Sequence, residues 1–142
     1  MTPALERLLA GELEPGVYQW LSAPAADKVK VMAEAAGWRC IDLDTATVVD
    51  KAGMLDAAAK TFGFPAYFGR NFDAFADSLT EVRGESGVLV LWDGWAGLAE
   101  LNAHTTGLTL DVFRERCAAR NFGAFAVLIV GSGPVLDVPE FE

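Results

Sequence analysis

A single histidine and two cysteines in 142 residues leave little material for several kinds of chemistry. His104 has no cysteine, serine or second histidine at a catalytic or metal-ligand spacing, so a loop or helix-surface position suits it better than the role of base or ligand. Cys40 and Cys117 fall in apolar strand and helix contexts, which predicts reduced core thiols rather than a disulfide. No apolar run approaches the roughly 18 residues of a membrane span. No charged-then-apolar leader opens the chain, and together these features predict a cytoplasmic protein. The 14 glycines form neither GxGxxG nor a P-loop pattern, so the phosphate cradle of a nucleotide-binding fold is absent from the sequence. No repeat, low-complexity stretch or linker interrupts the chain, and one domain over 1–142 is the simplest reading of its length. Basic side chains are scarce too, 11 against 20 acidic ones, for a net charge of −9. Such a chain is repelled by nucleic acid and anionic membranes, and attracts basic proteins at a salt-dependent rate.

Hydrophobic residues make up 52% of the chain, enough for a real core. Leu5, Leu8, Leu9 and Leu13 space a short amphipathic helix within 1–13, ended by Pro15 and Gly16. Residues 17–20 are β-prone. A helix is predicted over 25–36, with Val29, Met32, Ala33 and Ala36 inward and Gly37 as its stop. Residues 38–43 alternate, with Trp38 and Cys40 on one side, so 17–43 reads as strand–helix–strand, a right-handed parallel crossover. The next helix is expected over 50–62, started by Asp50 or Asp44, with Met54, Leu55, Ala58, Ala59 and Phe62 as its apolar stripe. Residues 88–92 and 124–130 are continuous apolar runs, as in strands buried on both faces. Between them, 95–101 suits a short helix and 108–120 a longer one, capped at Thr105, Thr106 or Thr109. Trp92 and Trp95 are expected in the core and its cover. Residues 131–142, with Pro134 and Pro139, read as an extended or frayed tail. Apolar strands separated by helices imply an α/β fold, a parallel sheet of three to four strands covered by helices.

The chain is organised around residues 64–80. Pro65 and Gly69 keep its first part out of a helix. Asn71 is a good N-cap, since its side-chain oxygen can accept an orphan amide of the first turn. Phe72, Phe75, Ala76 and Leu79 then share one helical face, while Asp73 and Asp77, four apart, share another. Like charges at that spacing cost a helix about 0.2–0.5 kcal/mol, and only Asp73 lies near enough to the helix start to gain from its dipole. The pair fits a solvated polar face on an acidic protein, or a site that meets something positive. A third use is acid–base catalysis, because adjacent helix turns allow the roughly 5–5.5 Å between carboxyls of retaining glycosidases. Metal binding lacks a third oxygen ligand at loop spacing. No cofactor is expected.

The same stretch resembles the barstar family of intracellular ribonuclease inhibitors, whose pattern is Pro, then Tyr-aromatic-Gly-x-Asn-x-Asp-Ala-x-x-Asp-x-Leu-Thr. Here it is carried by Pro65, Tyr67, Phe68, Gly69, Asn71, Asp73, Ala74, Asp77, Leu79 and Thr80. A shorter match, Val112-Phe113-Arg114-Glu115, lies on the predicted helix before the last strand. The likeness covers about 38–130, leaving 1–37 as an N-terminal extension and 131–142 as a tail. It implies a barstar-like sheet with an added N-terminal strand–helix unit. It also implies a binding surface without catalysis, in which carboxylates sit where a barnase-type ribonuclease would hold RNA phosphates.

By that resemblance, Asp77 is the central phosphate mimic and Asp73 meets a second group of donors. Tyr67 stacks on or flanks the partner's histidine, or packs the loop as Phe68 does. Asn71 and Thr80 hydrogen-bond at the rim, Phe72 adds apolar contact, and Glu115 adds negative charge at the edge or pairs with a neighbouring arginine. The chain also departs from the pattern. Ala76 stands where better-known members carry Trp, and Glu81 and Val82 replace Gly-Trp. Ala119 stands where an acid can occur, and Arg70 replaces an acidic residue. The partner implied is a basic secreted or toxin ribonuclease, bound by a monomer, with neither nucleic acid nor membrane involved. A barstar-like immunity protein for another basic protein or toxin, and a small carboxylate-pair hydrolase, are the other readings.

Overall fold

The two apolar runs form the centre of a four-stranded, wholly parallel sheet in the computed structural model, which describes residues 3–65 and 68–142. In chain order the elements are α1 (Pro3–Leu9), β1 (Val17–Trp20), α2 (Ala26–Ala35), β2 (Trp38–Asp44), α3 (Lys51–Phe62), α4 (Phe72–Leu79), β3 (Gly87–Asp93), α5 (Ala96–Leu101), α6 (Ala103–Ala118) and β4 (Phe125–Val130). A short 3-10 turn, Arg120–Phe122, joins α6 to β4.

The sheet runs β1-β4-β3-β2, with Val90 of β3 beside Ile41 of β2 and Val127 of β4. Period two divides its side chains between two cores. Ile41, Leu43, Val88, Val90, Trp92, Phe125, Val127 and Ile129 meet α3, α4, α5 and α6 on one face. Leu89, Leu91, Ala126, Leu128, Trp20 and Trp38 meet Leu5 and Leu8 of α1 and Val29 and Ala33 of α2 on the other. The Trp38 indole donates to the Leu9 carbonyl at 3.1 Å and ties α1 down.

Most elements lie where the sequence places them, and four points stand out. First, the strands flanking α2 are parallel, as expected, and their order, which the sequence leaves open, puts them at opposite edges of the sheet with β4 and β3 between them. The reason is burial: β3 and β4 are closed on both faces, whereas β1 and β2 carry partly or fully exposed positions that suit an edge. Second, α6 starts at Ala103, not at 108, and its cap is the Asn102 side chain, which accepts from the Thr105 amide. The threonines expected as caps are buried in the helix, where Thr106 and Thr109 hydroxyls donate to the carbonyls of Asn102 and Thr105. Third, Ala36 is exposed at the end of α2 rather than turned inward.

Fourth, the tail is not frayed. The Gln19 amide donates to the Pro139 carbonyl at 2.9 Å and the Phe141 amide donates to the Gln19 carbonyl at 2.6 Å, so the tail covers the free edge of β1. Phe141 is 3% exposed and its ring lies 5.1 Å from Trp20 and 5.4 Å from Tyr18.

Other expectations hold. Asp50 caps α3 by accepting from the Gly53 amide at 2.8 Å. Gly63 ends that helix at φ 71°, a left-handed conformation that favours glycine. Trp92 donates to the Thr45 hydroxyl at 2.8 Å and Trp95 to the Val130 carbonyl at 2.9 Å, both from inside the core. Cys117 is buried, Cys40 is half-buried, and neither is bridged. His104 is an exposed residue of α6.

Two predictions follow from the packing. Phe141→Ala should lower stability by about 3 kcal/mol, read as a fall in the urea midpoint at unchanged slope; a loose tail would give no change. Burial pushes the Cys117 thiol from 9.0 up to about 12. The unfolded chain releases that proton above about pH 9 while the folded chain keeps it, so stability that is complete below pH 9 is lost as pH rises toward 12. The drop in urea midpoint between about pH 8 and about pH 10.5 should therefore be smaller in Cys117→Ala than in the wild type.

Candidate functional site

Helix α4 is built from both ends. At its start Asn71 is extended, and its side-chain oxygen accepts from the Ala74 amide at 2.7 Å. The residue before it, Arg70, takes φ 50°, a left-handed turn that swings the chain from loop into helix. On the inner face Phe75 and Leu79 are fully buried, and Phe72 and Ala76 are half-buried. The Phe75 ring lies 5.8 Å from Phe113, 6.0 Å from Phe64, 6.2 Å from Phe72 and 6.4 Å from Phe62. Phe68 packs 5.0 Å from Phe64, so it anchors the loop.

At the other end Arg116 of α6 does the holding, a residue that sequence reasoning missed. Its side chain is 2% exposed and makes five hydrogen bonds to main-chain carbonyls. Nε donates to Leu79 at 2.9 Å, and Nη2 to Val82 at 3.1 Å and Phe122 at 2.8 Å. Nη1 donates to Gly123 at 3.1 Å and Ala119 at 3.4 Å, and the guanidinium stands 4.7 Å over the Phe125 ring. Burial lowers its pKa, yet an arginine keeps its charge. That charge lies at the negative end of the α4 dipole and replaces water at carbonyls that would otherwise be orphaned. The signal was present in the sequence: Val112, Phe113, Arg116 and Cys117 share the inner stripe of α6.

The outer side of α4 is different. Asp73 and Asp77 are exposed, and among the described residues neither side chain makes an ion pair or hydrogen bond. The arginines nearby in sequence are engaged elsewhere. Arg70 pairs with Asp56 at 2.9 Å, and Arg83 donates to the Thr80 carbonyl at 2.8 Å and lies 3.9 Å from Glu81. Glu115 is exposed on α6 and likewise unpaired among the described residues, since Arg114 turns to Asp111 at 3.3 Å and Arg116 is interior.

The remaining candidates have local duties as well. Thr80 is half-buried, and its hydroxyl donates to the Asp77 carbonyl at 2.7 Å. Asn71 is occupied as the cap, and its amide nitrogen donates to the Gly69 carbonyl at 3.3 Å. The Lys51 ammonium stands 5.8 Å over the Phe72 ring. Tyr67 lies outside the described residues. Beside Asp77 a groove of about 600 Å³ opens between the end of α3 and the end of α4, with Phe62, Phe64, Pro65, Thr80 and Glu81 in its wall.

A family model described as Barstar (barnase inhibitor) matches residues 38–130, from the first residue of β2 to the last of β4. No curated protein sequence matches the chain. Among solved structures, the Aeropyrum pernix ORC2 protein in ADPNP-ADP complexes is similar in fold, with a TM-score of 0.60 at 17% identity. That likeness covers 92% of this chain but only 39% of the ORC2 chain, and it is one of α/β architecture.

Removing the guanidinium should strand the carbonyls it serves. Arg116→Met should cost about 3 kcal/mol in urea unfolding, and amides near the end of α4 should exchange faster with solvent. Unchanged stability and exchange would show that water satisfies those carbonyls equally well.

Proposed function

The chain belongs to the Barstar family, and from that premise we propose that it inhibits a barnase-type ribonuclease by placing the carboxylates of α4 in the enzyme's basic active site. Membership of a family described as barnase inhibitors supports a binding role without a catalytic step. The observation that carries the reading further is the state of Asp73 and Asp77: exposed, unpaired among the described residues, and mounted on a helix locked by Asn71 and Arg116.

The physics of such a plug is direct. Carboxylates offer the charge and paired acceptor oxygens of a phosphate, and charge-assisted, often bidentate bonds to arginine are the strong class of hydrogen bond. Aspartate is short, so little side-chain entropy is lost when it is fixed. A net charge of −9 draws a basic enzyme in from a distance. In this reading Asp77 is central and Asp73 takes a second set of donors. Tyr67 and Phe72 add ring contacts, Ala76, Asn71 and Thr80 line the contact, and Glu115 lies at its edge. Catalytic carboxylate pairs work from a dry cleft, whereas these two stand in solvent on one helix. No metal or cofactor enters the proposed function.

One observation favours a partner other than barnase itself within the same scheme. Where better-known family members carry Trp, Ala76 offers little aromatic area, and it is already half-buried against the core.

Titration into a barnase-type ribonuclease assay tests the proposal. The wild type should inhibit, and inhibition should weaken with added salt. Asp77→Ala should lose about 2–5 kcal/mol of binding, a range drawn from complexes that include barnase and barstar themselves and so carried over to this chain. Full ribonuclease activity at saturating wild-type protein, or equal inhibition by Asp77→Ala, would overturn it.

A further inference from the structure

The groove beside Asp77 contains a charge that the inhibitor reading does not use. Strand β2 alternates, and Ile41 and Leu43 face the core under α3 and α4. Arg39, two residues before Ile41, therefore points to the same side, beyond the edge of that core, and reaches the groove wall. Gly84 leaves room for it, since a Cβ there would lie 3.0 Å from the Arg39 Cβ. Arg39 is exposed and makes no ion pair or hydrogen bond among the described residues.

A guanidinium and a carboxylate, Arg39 and Asp77, thus share one groove, and neither neutralises the other. Phe62, Phe64 and Pro65 add apolar surface to the same groove. In a chain with only 11 basic side chains, an unpaired arginine beside Asp77 and Glu81 weakens the attraction this groove offers a cation. Toward a uniformly basic enzyme it is repulsive. It becomes favourable only against a partner that offers an acid beside its cations.

Resting on the inhibitor reading above, we propose that the groove is a specificity site in the same interface. Its occupant is a loop of the bound ribonuclease that carries a cationic side chain for Asp77 and a carboxylate for Arg39, with the stretch between them lying on Phe64 and Pro65. Arg39 then selects among basic ribonucleases: those with a carboxylate at that place bind well, and those with a further cation are rejected.

The test uses full-length protein and a catalytically inactive barnase-type ribonuclease. Affinities and dissociation rates are measured for the wild type, Asp77→Ala, Arg39→Gln and Arg39→Glu, and hydrogen exchange is read on the wild type free and bound. Arg39→Gln should weaken binding about tenfold and Arg39→Glu further, chiefly through faster dissociation. In the complex the amides of Gly63, Phe64, Glu81 and Val82 should become protected. Strong loss in Asp77→Ala with no loss in either Arg39 variant, or with no protection in the groove, overturns the specificity site and leaves the inhibitor reading standing. No loss in Asp77→Ala, or no binding by the wild type, overturns that reading and this inference with it. The exchange comparison needs no substituted protein, so it decides even if an Arg39 variant folds poorly.

Discussion

Burial of both faces of β3 and β4 is the constraint from which the architecture follows. Every residue of β3 but the last, and every residue of β4 but the last, is buried. A sheet of that composition must be covered twice. The segment 38–130 supplies one cover, in α3 to α6. Nearly all of the second comes from outside it: Leu5, Leu8, Trp20, Val29, Ala33 and Phe141. Large aromatic side chains bury about 150–250 Å², worth about 4–6 kcal/mol each as an upper figure at about 25 cal/mol per Å². Trp20 and Phe141 alone thus contribute on the scale of a domain's net stability. The N-terminal unit and the tail act as the second wall of the core, on the face of the sheet opposite α4.

The presentation of Asp73 and Asp77 depends on that core. An eight-residue helix is too short to hold itself in water, where about 12–15 residues are marginal. Phe75 and Leu79 dock α4, Asn71 closes its first turn, and Arg116 closes its last. Ordering a loose backbone on binding costs about 1–2 kcal/mol per residue. A helix already fixed spares the proposed interface that cost, so in that reading Phe75, Leu79 and Arg116 serve affinity by holding α4 in place.

How much of this the sequence discloses depends on whether a feature is local. The α4 cap, the Asp50 cap of α3, the doubly buried strands and the reduced cysteines are legible because each is written in a few adjacent residues. Strand order is not, since an apolar pattern marks burial and says nothing of which strand lies alongside; hence β1 and β2 fall on opposite edges. The start of α6 was hidden by threonines whose hydroxyls serve equally well as caps or as bonds back to carbonyls within the helix. One phenylalanine near two prolines gave little hint that the tail docks. Arg116 and Arg39 are hard to single out in the sequence for opposite reasons: a charged residue on an apolar stripe looks out of place, and one on an edge strand looks ordinary.

The exposed carboxylates carry a small, deliberate imbalance. Arg70, Arg83 and Arg116 lie near α4 in the chain or in space, and each spends its charge elsewhere: on Asp56, on the Thr80 carbonyl and Glu81, and on buried carbonyls. A surface ion pair is worth about 0–1 kcal/mol, and like charges at i,i+4 cost about 0.2–0.5 kcal/mol, so leaving Asp73 and Asp77 unpaired lowers stability by little. Pairing them within the chain would be far more damaging to a binding role, because every such pair must be broken before a partner's cation can enter. A slight loss in folding set against a large gain in readiness to bind fits the role proposed for α4: Arg70, Arg83 and Arg116 lie close to the helix, yet among the described residues none of them pairs with Asp73 or Asp77.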